Sequence, residues 1–218
     1  RLSTIIKDKG RSLWRKENLE LLSLGSFSVL MVDRFAQVPI PRKQGVGLAR
    51  KIGCDIAACL INQHRVNGTQ IYTSDADATL PDDYFDQAKS GAGTSAHVYS
   101  FRHRCDDSEL GVATRNYERS IRYYVNGLKW ARSPYAFHTI GSCITVSAIH
   151  YCQARGFPKR SGGEDFYLLN KLAKLGKVVE LDGKPVLIAA RESDRAPFGT
   201  GNAVGKMLAT TELIFADY

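Results

Sequence analysis

The chain has 218 residues, a net charge of +8, and 44% hydrophobic and 24% charged residues. This length suits one α/β domain with a sizeable core, and the composition is that of an ordinary globular protein, not a fibrous or disordered one. No apolar run is long enough to span a bilayer, and the five cysteines form no CxxC pair, which excludes the common zinc-finger spacings.

The positive charge is compatible with three kinds of partner: nucleic acid, an anionic membrane surface or a phosphorylated ligand. The basic residues are scattered, and no nucleic-acid-binding module is recognisable, so we expect no nucleic-acid partner. Reduced thiols indicate a cytoplasmic protein, and peripheral contact with a membrane stays open. The sequence does not indicate an oligomeric state.

Helices and strands alternate along the predicted chain. Helices are expected over residues 14–24, 45–64, 106–132, 147–155, 164–175 and 203–215. Strands are expected over residues 27–32, 70–74, 97–101, 143–146, 177–181 and 185–190. The opening order of helix, strand, helix, strand is typical of a parallel sheet. We therefore predict an α/β fold with a mixed, mainly parallel sheet sandwiched by helices.

Two aspartates follow the predicted strand 70–74 directly. In an extended backbone, residues i and i+2 point to the same side, so Asp75 and Asp77 aim two carboxylates at one point beyond the end of the strand. Hard oxygen ligands of this kind suit Mg²⁺ or Mn²⁺, with water and ligand phosphates filling the other positions. The same pair is also compatible with a simple turn or a helix cap.

Three motifs occur in a recognisable order. Residues 47–53 are similar to an Ala-Arg-Asn-x-Gly helix, with Lys51 where asparagine is usual; residues 74–77 are similar to a DxD motif; and residues 163–166 are similar to a Glu-Asp helix start. Together they resemble the inverting family 2 glycosyltransferases of the GT-A fold. The resemblance covers most of residues 27–181, and residues 191–201 also resemble a block found in uncharacterised bacterial members.

The resemblance implies one GT-A glycosyltransferase domain over residues 1–218, a Rossmann-like three-layer sandwich. Such an enzyme moves a sugar from a nucleotide-sugar donor, here of the UDP type, to a hydroxyl acceptor with inversion. Mg²⁺ or Mn²⁺ would be held by Asp77 and Asp75, with Asp75 also near the donor. Asp165 would be the general base and Glu164 the second candidate. Both acids are equally compatible with ordinary capping at a helix start.

The resemblance also implies contacts to the donor from Asp33, at the end of a strand, and from Arg50. Their simpler interpretations are a turn residue and a surface arginine. The two arginines beyond residue 190 could bind phosphate bidentately or form exposed salt bridges. The candidates for acceptor or phosphate contacts are His138, Ser142, Arg191 and Arg195.

Family members begin with a strand of the type Val-Ile-Pro-x-Tyr-Asn, which forms part of the nucleotide pocket, and residues 3–7 match it poorly. We therefore expect the domain to be N-terminally incomplete. Two other functions stay open. A nucleotidyltransferase also uses paired aspartates and a metal, but would normally have a Gly-rich phosphate loop near its start. A non-catalytic nucleotide-binding or scaffold protein would bind the donor weakly or not at all.

Overall fold

The computed structural model describes residues 2–36, 38–191 and 200–209. The chain divides into two compact units, residues 1–42 and residues 43–218. The first unit is a small antiparallel sheet with one helix, and the second is a larger mixed α/β unit.

The N-terminal unit consists of helix α1 and a three-stranded antiparallel sheet in the order β1-β2-β3. Its elements are α1 (Leu2–Lys9), β1 (Arg11–Lys16), β2 (Leu19–Ser23) and β3 (Ser28–Val32). The predicted strand 27–32 is confirmed as β3, whereas the predicted helix 14–24 is wrong. Lys16 pairs with Leu19 across a tight turn, in which Glu17 has a φ of 52°. Without glycine or proline in that turn, the leucines after it resemble a helical pattern.

The C-terminal unit contains the remaining elements, most of which lie within a few residues of their predicted bounds. Its helices are α2 (Gly45–Asn62), α3 (Tyr84–Gln87), α4 (Glu109–Trp130), α5 (Ala148–Gln153), α6 (Glu164–Leu172) and α7 (Thr200–Ala209), with a 3₁₀ turn at Gly141–Cys143. Its strands are β4 (Gln70–Thr73), β5 (Thr94–Val98), β6 (Phe101–Arg104), β7 (Ile144–Ser147), β8 (Lys177–Glu180) and β9 (Val186–Ala189). The single strand expected over 97–101 is divided between β5 and β6. The predicted terminal helix 203–215 extends beyond the described residues.

The C-terminal unit has a four-stranded sheet in the order β4-β7-β5-β8 and a parallel pair, β6-β9. Strand β7 runs antiparallel to both β4 and β5, and β8 runs parallel to β5. The prediction of an α/β fold with a mixed sheet is confirmed, but the expectation of mainly parallel pairing is wrong for the described strands. Alternation of helices and strands does not reveal that β7, which follows a long helix and loop, inserts between β4 and β5 in the opposite direction.

One face of the four-stranded sheet is covered by helices α2, α5 and α6. Alternate residues of β5 and β7, such as Ala96 and Ile144, pack with Leu168 and Leu169 of α6 in a fully buried cluster. A second cluster, built around Tyr84, Tyr99 and Phe101, includes Cys143 from the 3₁₀ turn. Because residues 141–144 contribute to both clusters, the end of β4 lies against a well-packed segment.

Candidate functional site

Arg50, in the first of the three predicted motifs, forms hydrogen bonds to residues of the other two. Its side chain projects from α2 with 9% of its surface exposed. The Nη2 atom donates to Asp75 Oδ1 over 2.7 Å, and the Nε atom donates to Glu164 Oε1 over 2.9 Å. The interpretation of Arg50 as an ordinary surface arginine is therefore wrong. Motifs that are far apart in the sequence meet at one buried guanidinium.

The position of Asp75 is fixed on both sides by hydrogen bonds. Before it, the buried Thr73 hydroxyl lies 2.8 Å from the Gly141 carbonyl oxygen and 3.0 Å from that of Ile144, to either of which it can donate. After it, Ala78 N–H donates to the Asp75 carbonyl oxygen over 3.1 Å, and Thr79 pairs with Leu187. The loop that bears both aspartates is thus held between β7 and β9.

Asp77 pairs with Arg191, which follows strand β9. Arg191 Nε and Asp77 Oδ2 form a salt bridge over 2.9 Å, and both side chains are partly exposed. The structure therefore brings together two residues that were predicted separately, one as a metal ligand and one as a phosphate contact. Arg195, the other predicted phosphate contact, lies outside the described residues.

Glu164 and Asp165 open helix α6 directly after Gly163, which has a φ of +68°. Glu164 is buried and bonded to Arg50, whereas Asp165 is half-buried and accepts a hydrogen bond from its neighbour Phe166 N–H over 2.8 Å. Burial and the adjacent Glu164 carboxylate raise the pKa of Asp165 to about 6. The two acids therefore differ: Glu164 is held in an ion pair, and Asp165 can exchange a proton near neutral pH.

The ligand types at Asp75 and Asp77 fit Mg²⁺ or Mn²⁺. Both carboxylates are partly exposed, at 41% and 34% of the side-chain surface, and each uses one oxygen for an arginine. In the part of the chain that the structure describes, no group of three or more His, Cys, Asp or Glu side chains is placed to hold a metal. An ion here would therefore take one or two carboxylates and complete its shell with water and ligand phosphates, which is usual for Mg²⁺.

Two predicted acceptor contacts have different environments. Ser142 is buried and lies 3.8 Å, oxygen to sulfur, from Cys143 Sγ, so its hydroxyl is not presented at a surface. His138 packs edge-on against Phe101, with ring centroids 5.0 Å apart, and lines a cavity beside α4 and α6. Burial, with the nearby Arg122 charge, lowers the pKa of His138, so its imidazole is neutral at pH 7.

Asp33 lies in the N-terminal unit, whereas the other described candidates lie in the C-terminal unit. Its Oδ1 atom accepts hydrogen bonds from Phe35 N–H at 2.9 Å and Ala36 N–H at 3.0 Å. These bonds stabilise the carboxylate and lower its pKa. This is the geometry of a turn-forming aspartate, which the sequence also allowed, and a nucleotide contact from Asp33 stays a prediction.

Sequence reasoning missed the backbone and packing groups that hold the site. Thr73 could have been found as a polar residue at an otherwise apolar strand end, one position before the acidic motif. Gly141 gave no sequence signal: it lies so close to Arg50 that an added Cβ would be 2.6 Å from Nη2. Phe166 and Asn170 resembled ordinary helix residues, although both line the cavity beside the site.

Comparison of the chain with models of protein families, with curated proteins and with solved structures found no match. The helices within the described ranges include none with the length and hydrophobicity required to cross a membrane. The chemistry of the site must therefore be inferred from its own geometry.

Proposed function

We propose that the chain is a metal-dependent glycosyltransferase of the GT-A fold that moves a sugar from a nucleotide-sugar donor to a hydroxyl acceptor. One observation supports this most strongly: Arg50 bonds to Asp75 and Glu164. These two contacts bring three motifs together in one site. The motifs cover residues 47–53, 74–77 and 163–166, and each resembles a glycosyltransferase element.

The donor diphosphate would bind at the Asp75–Asp77 loop. When bound there, Mg²⁺ or Mn²⁺ would neutralise the negative charge that develops on the leaving diphosphate. Arg191 already lies at this loop through its 2.9 Å contact with Asp77, and its guanidinium can bind phosphate oxygens in pairs. The donor side of the site thus combines oxygen ligands for the metal with a cation for the phosphates.

The acceptor would be activated at Asp165. With a pKa of about 6, this carboxylate is largely ionised at pH 7 and can take the proton of an acceptor hydroxyl. The hydroxyl oxygen forms a bond to the anomeric carbon as the bond from that carbon to the diphosphate breaks. The proton goes to Asp165, and the nucleoside diphosphate leaves. A single displacement of this kind inverts the anomeric centre.

The test is calorimetric titration of the full chain with UDP, GDP and their sugars, in Mn²⁺ and in chelator. We expect metal-dependent binding of one nucleotide class, lost in Asp77→Asn and retained in the control Asp82→Asn, which alters an exposed carboxylate nearby. Release of a nucleoside diphosphate during turnover would distinguish this enzyme from a nucleotidyltransferase, which releases pyrophosphate. If no nucleotide binds in any condition, the proposal is wrong, and a non-catalytic scaffold protein is favoured instead.

A further inference from the structure

A cavity of about 280 Å³ lies between helix α4, the loop that follows it and helix α6. Aliphatic residues of α4 and of the loop form part of its wall. Its described aromatic lining consists of Tyr117, Tyr124, Tyr135, Phe137, His138 and Phe166. We refer to it as the aromatic cavity. Rings that line a concave site in this way favour stacking or edge contacts with a flat or ring-shaped ligand.

The described lining of the aromatic cavity contains no Lys, Arg, Asp or Glu, although 24% of the chain is charged. Its titratable histidine, His138, is kept neutral because burial lowers its pKa. A charged ligand would lose its hydration here without gaining an opposite charge in the described wall, which is costly. The cavity therefore selects for neutral molecules.

The aromatic cavity adjoins the proposed general base. Phe166, in its wall, directly follows Asp165 on α6. On the other side, Ile140 precedes Gly141, whose backbone lies near enough to Asp165 to lower the pKa of its carboxyl group. A ligand in the cavity would thus be bounded by the neighbours of Asp165 on two elements.

Asn170, which lines the cavity, has a polar atom without a hydrogen-bond partner among the described residues. The Oδ1 atom of Asn170 is buried and accepts no hydrogen bond from the described residues. Asn170 lies four residues after Phe166, so both are on the same face of α6. A buried amide oxygen of this kind destabilises a protein unless it is satisfied. Because this oxygen has almost no exposed surface, a ligand hydroxyl would satisfy it once the Asn170 side chain turns toward the cavity.

We propose that the aromatic cavity binds the acceptor, and that the acceptor is a neutral hydroxyl compound with an apolar or aromatic ring. The inference rests on the proposed function, because it takes Asp165 as the base. The size of the cavity is at the lower end of ligand pockets, so it accommodates one or two rings and not a long chain. After its side chain turns toward the cavity, Asn170 accepts a hydrogen bond from one hydroxyl of this compound.

The probe is phenyl β-D-glucopyranoside, titrated into the full chain in the presence of UDP and Mn²⁺. Its charged counterpart, phenyl β-D-glucuronide, has the same rings and a carboxylate in place of the C6 hydroxymethyl group. We expect the glucoside to bind and the glucuronide to bind at least about tenfold more weakly, because its charge is desolvated without compensation. Equal affinity for the two compounds would overturn the inference.

Two variants test whether the glucoside binds in the aromatic cavity. Leu128→Trp fills the cavity and should abolish glucoside binding. Asn170→Leu removes the unpartnered amide; it should weaken glucoside binding by about tenfold while the thermal unfolding midpoint does not fall. The matched control is Trp130→Ala, which removes an aromatic side chain of the same helix that is 89% exposed, and it should bind as the wild type does. Unchanged glucoside binding in both cavity variants would contradict the proposed site.

The nucleotide titration separates the two proposals. If UDP binds with Mn²⁺ but the glucoside does not, the acceptor inference fails and the transferase proposal stands. If the glucoside binds but no nucleotide does, the transferase proposal fails, and the assignment of the cavity as an acceptor site fails with it.

Discussion

Arg50 faces three carboxylates, those of Asp75, Glu164 and Asp165. Burial opposes the charge of Arg50, but the carboxylates outweigh burial and raise its pKa. One guanidinium cannot neutralise three carboxylates, and its direct bonds go to Asp75 and Glu164. Asp165 is therefore left without a direct bond to this guanidinium, which agrees with its raised pKa of about 6.

Asp165→Asn should remove activity and increase stability. As the proposed general base, Asp165 should contribute about 10²–10⁴-fold to kcat. Its loss also removes a half-buried charge beside Glu164, so the free energy of unfolding at pH 7 should rise by about 1–3 kcal/mol. The measurements are steady-state kinetics and urea denaturation. Neighbouring Glu164→Gln is the control: it breaks the buried contact to Arg50, so stability should fall.

The pH dependence of the wild type follows from the same carboxyl group. The pKa of Asp165 is raised in the folded state from its ordinary value of 3.8 to about 6, so the folded state binds more protons between these values. This group's contribution to stability is therefore full below pH 3.8 and is lost as the pH rises through about 6. Activity should show the opposite trend: kcat/KM should fall about tenfold per unit below pH 6. A flat kcat/KM profile from pH 5 to pH 7 would exclude Asp165 as the base.

At the scale of elements, the start of helix α2 is fitted tightly against the segment that precedes α6. Gly47 N–H donates to the Arg160 carbonyl oxygen over 2.9 Å. A Cβ at Gly47 would lie 2.3 Å from the Pro158 carbonyl oxygen and 2.6 Å from that of Arg160. Since these are backbone atoms, they cannot move aside cheaply. This contact sets the distance between Arg50, one turn later on α2, and Glu164 on α6.

Gly47→Ala and Gly53→Ala should therefore have opposite effects, although both change a glycine of α2 to alanine. Gly47→Ala should lower the free energy of unfolding by about 1–3 kcal/mol through overpacking. A Cβ at Gly53 meets no atom within 4 Å, so Gly53→Ala should raise it by about 0.5–1 kcal/mol through helix propensity. Denaturant unfolding of the two variants measures both changes. Equal effects would mean that the α2–α6 contact does not constrain the site.

Long helices were the elements best predicted from the sequence. The apolar spacing of α4 and its N-cap Ser108, whose side chain accepts a hydrogen bond from Gly111 N–H, are local features that a sequence displays. The β1–β2 hairpin was missed because its turn uses Glu17 in a left-handed conformation without glycine. The insertion of β7 between β4 and β5 depends on non-local pairing, which local patterns do not encode.

The candidate site was predictable as a set of residues but not as a set of contacts. The order of motifs identified Arg50, Asp75 and Glu164, yet their ion pairs depend on how α2, β4 and α6 pack. The pairing of Asp77 with Arg191 likewise requires β9 to end beside the loop after β4. The aromatic cavity was not foreseen, because its wall combines residues from three segments that each resemble ordinary core.

At the scale of the whole molecule, the net charge of +8 should accelerate the encounter with a nucleoside diphosphate. Long-range attraction acts on the association rate and is screened by salt. We expect the association rate constant of a fluorescent UDP analogue, measured by stopped flow with Mn²⁺, to fall about three- to tenfold between about 20 mM and 500 mM NaCl. The dissociation rate should change less, because the bound phosphates make short-range contacts that salt screens weakly.

Phenyl β-D-glucopyranoside is neutral, so its affinity should not follow this trend. A salt-independent association rate would mean that the positive charge lies away from the path of the donor and belongs to another partner surface.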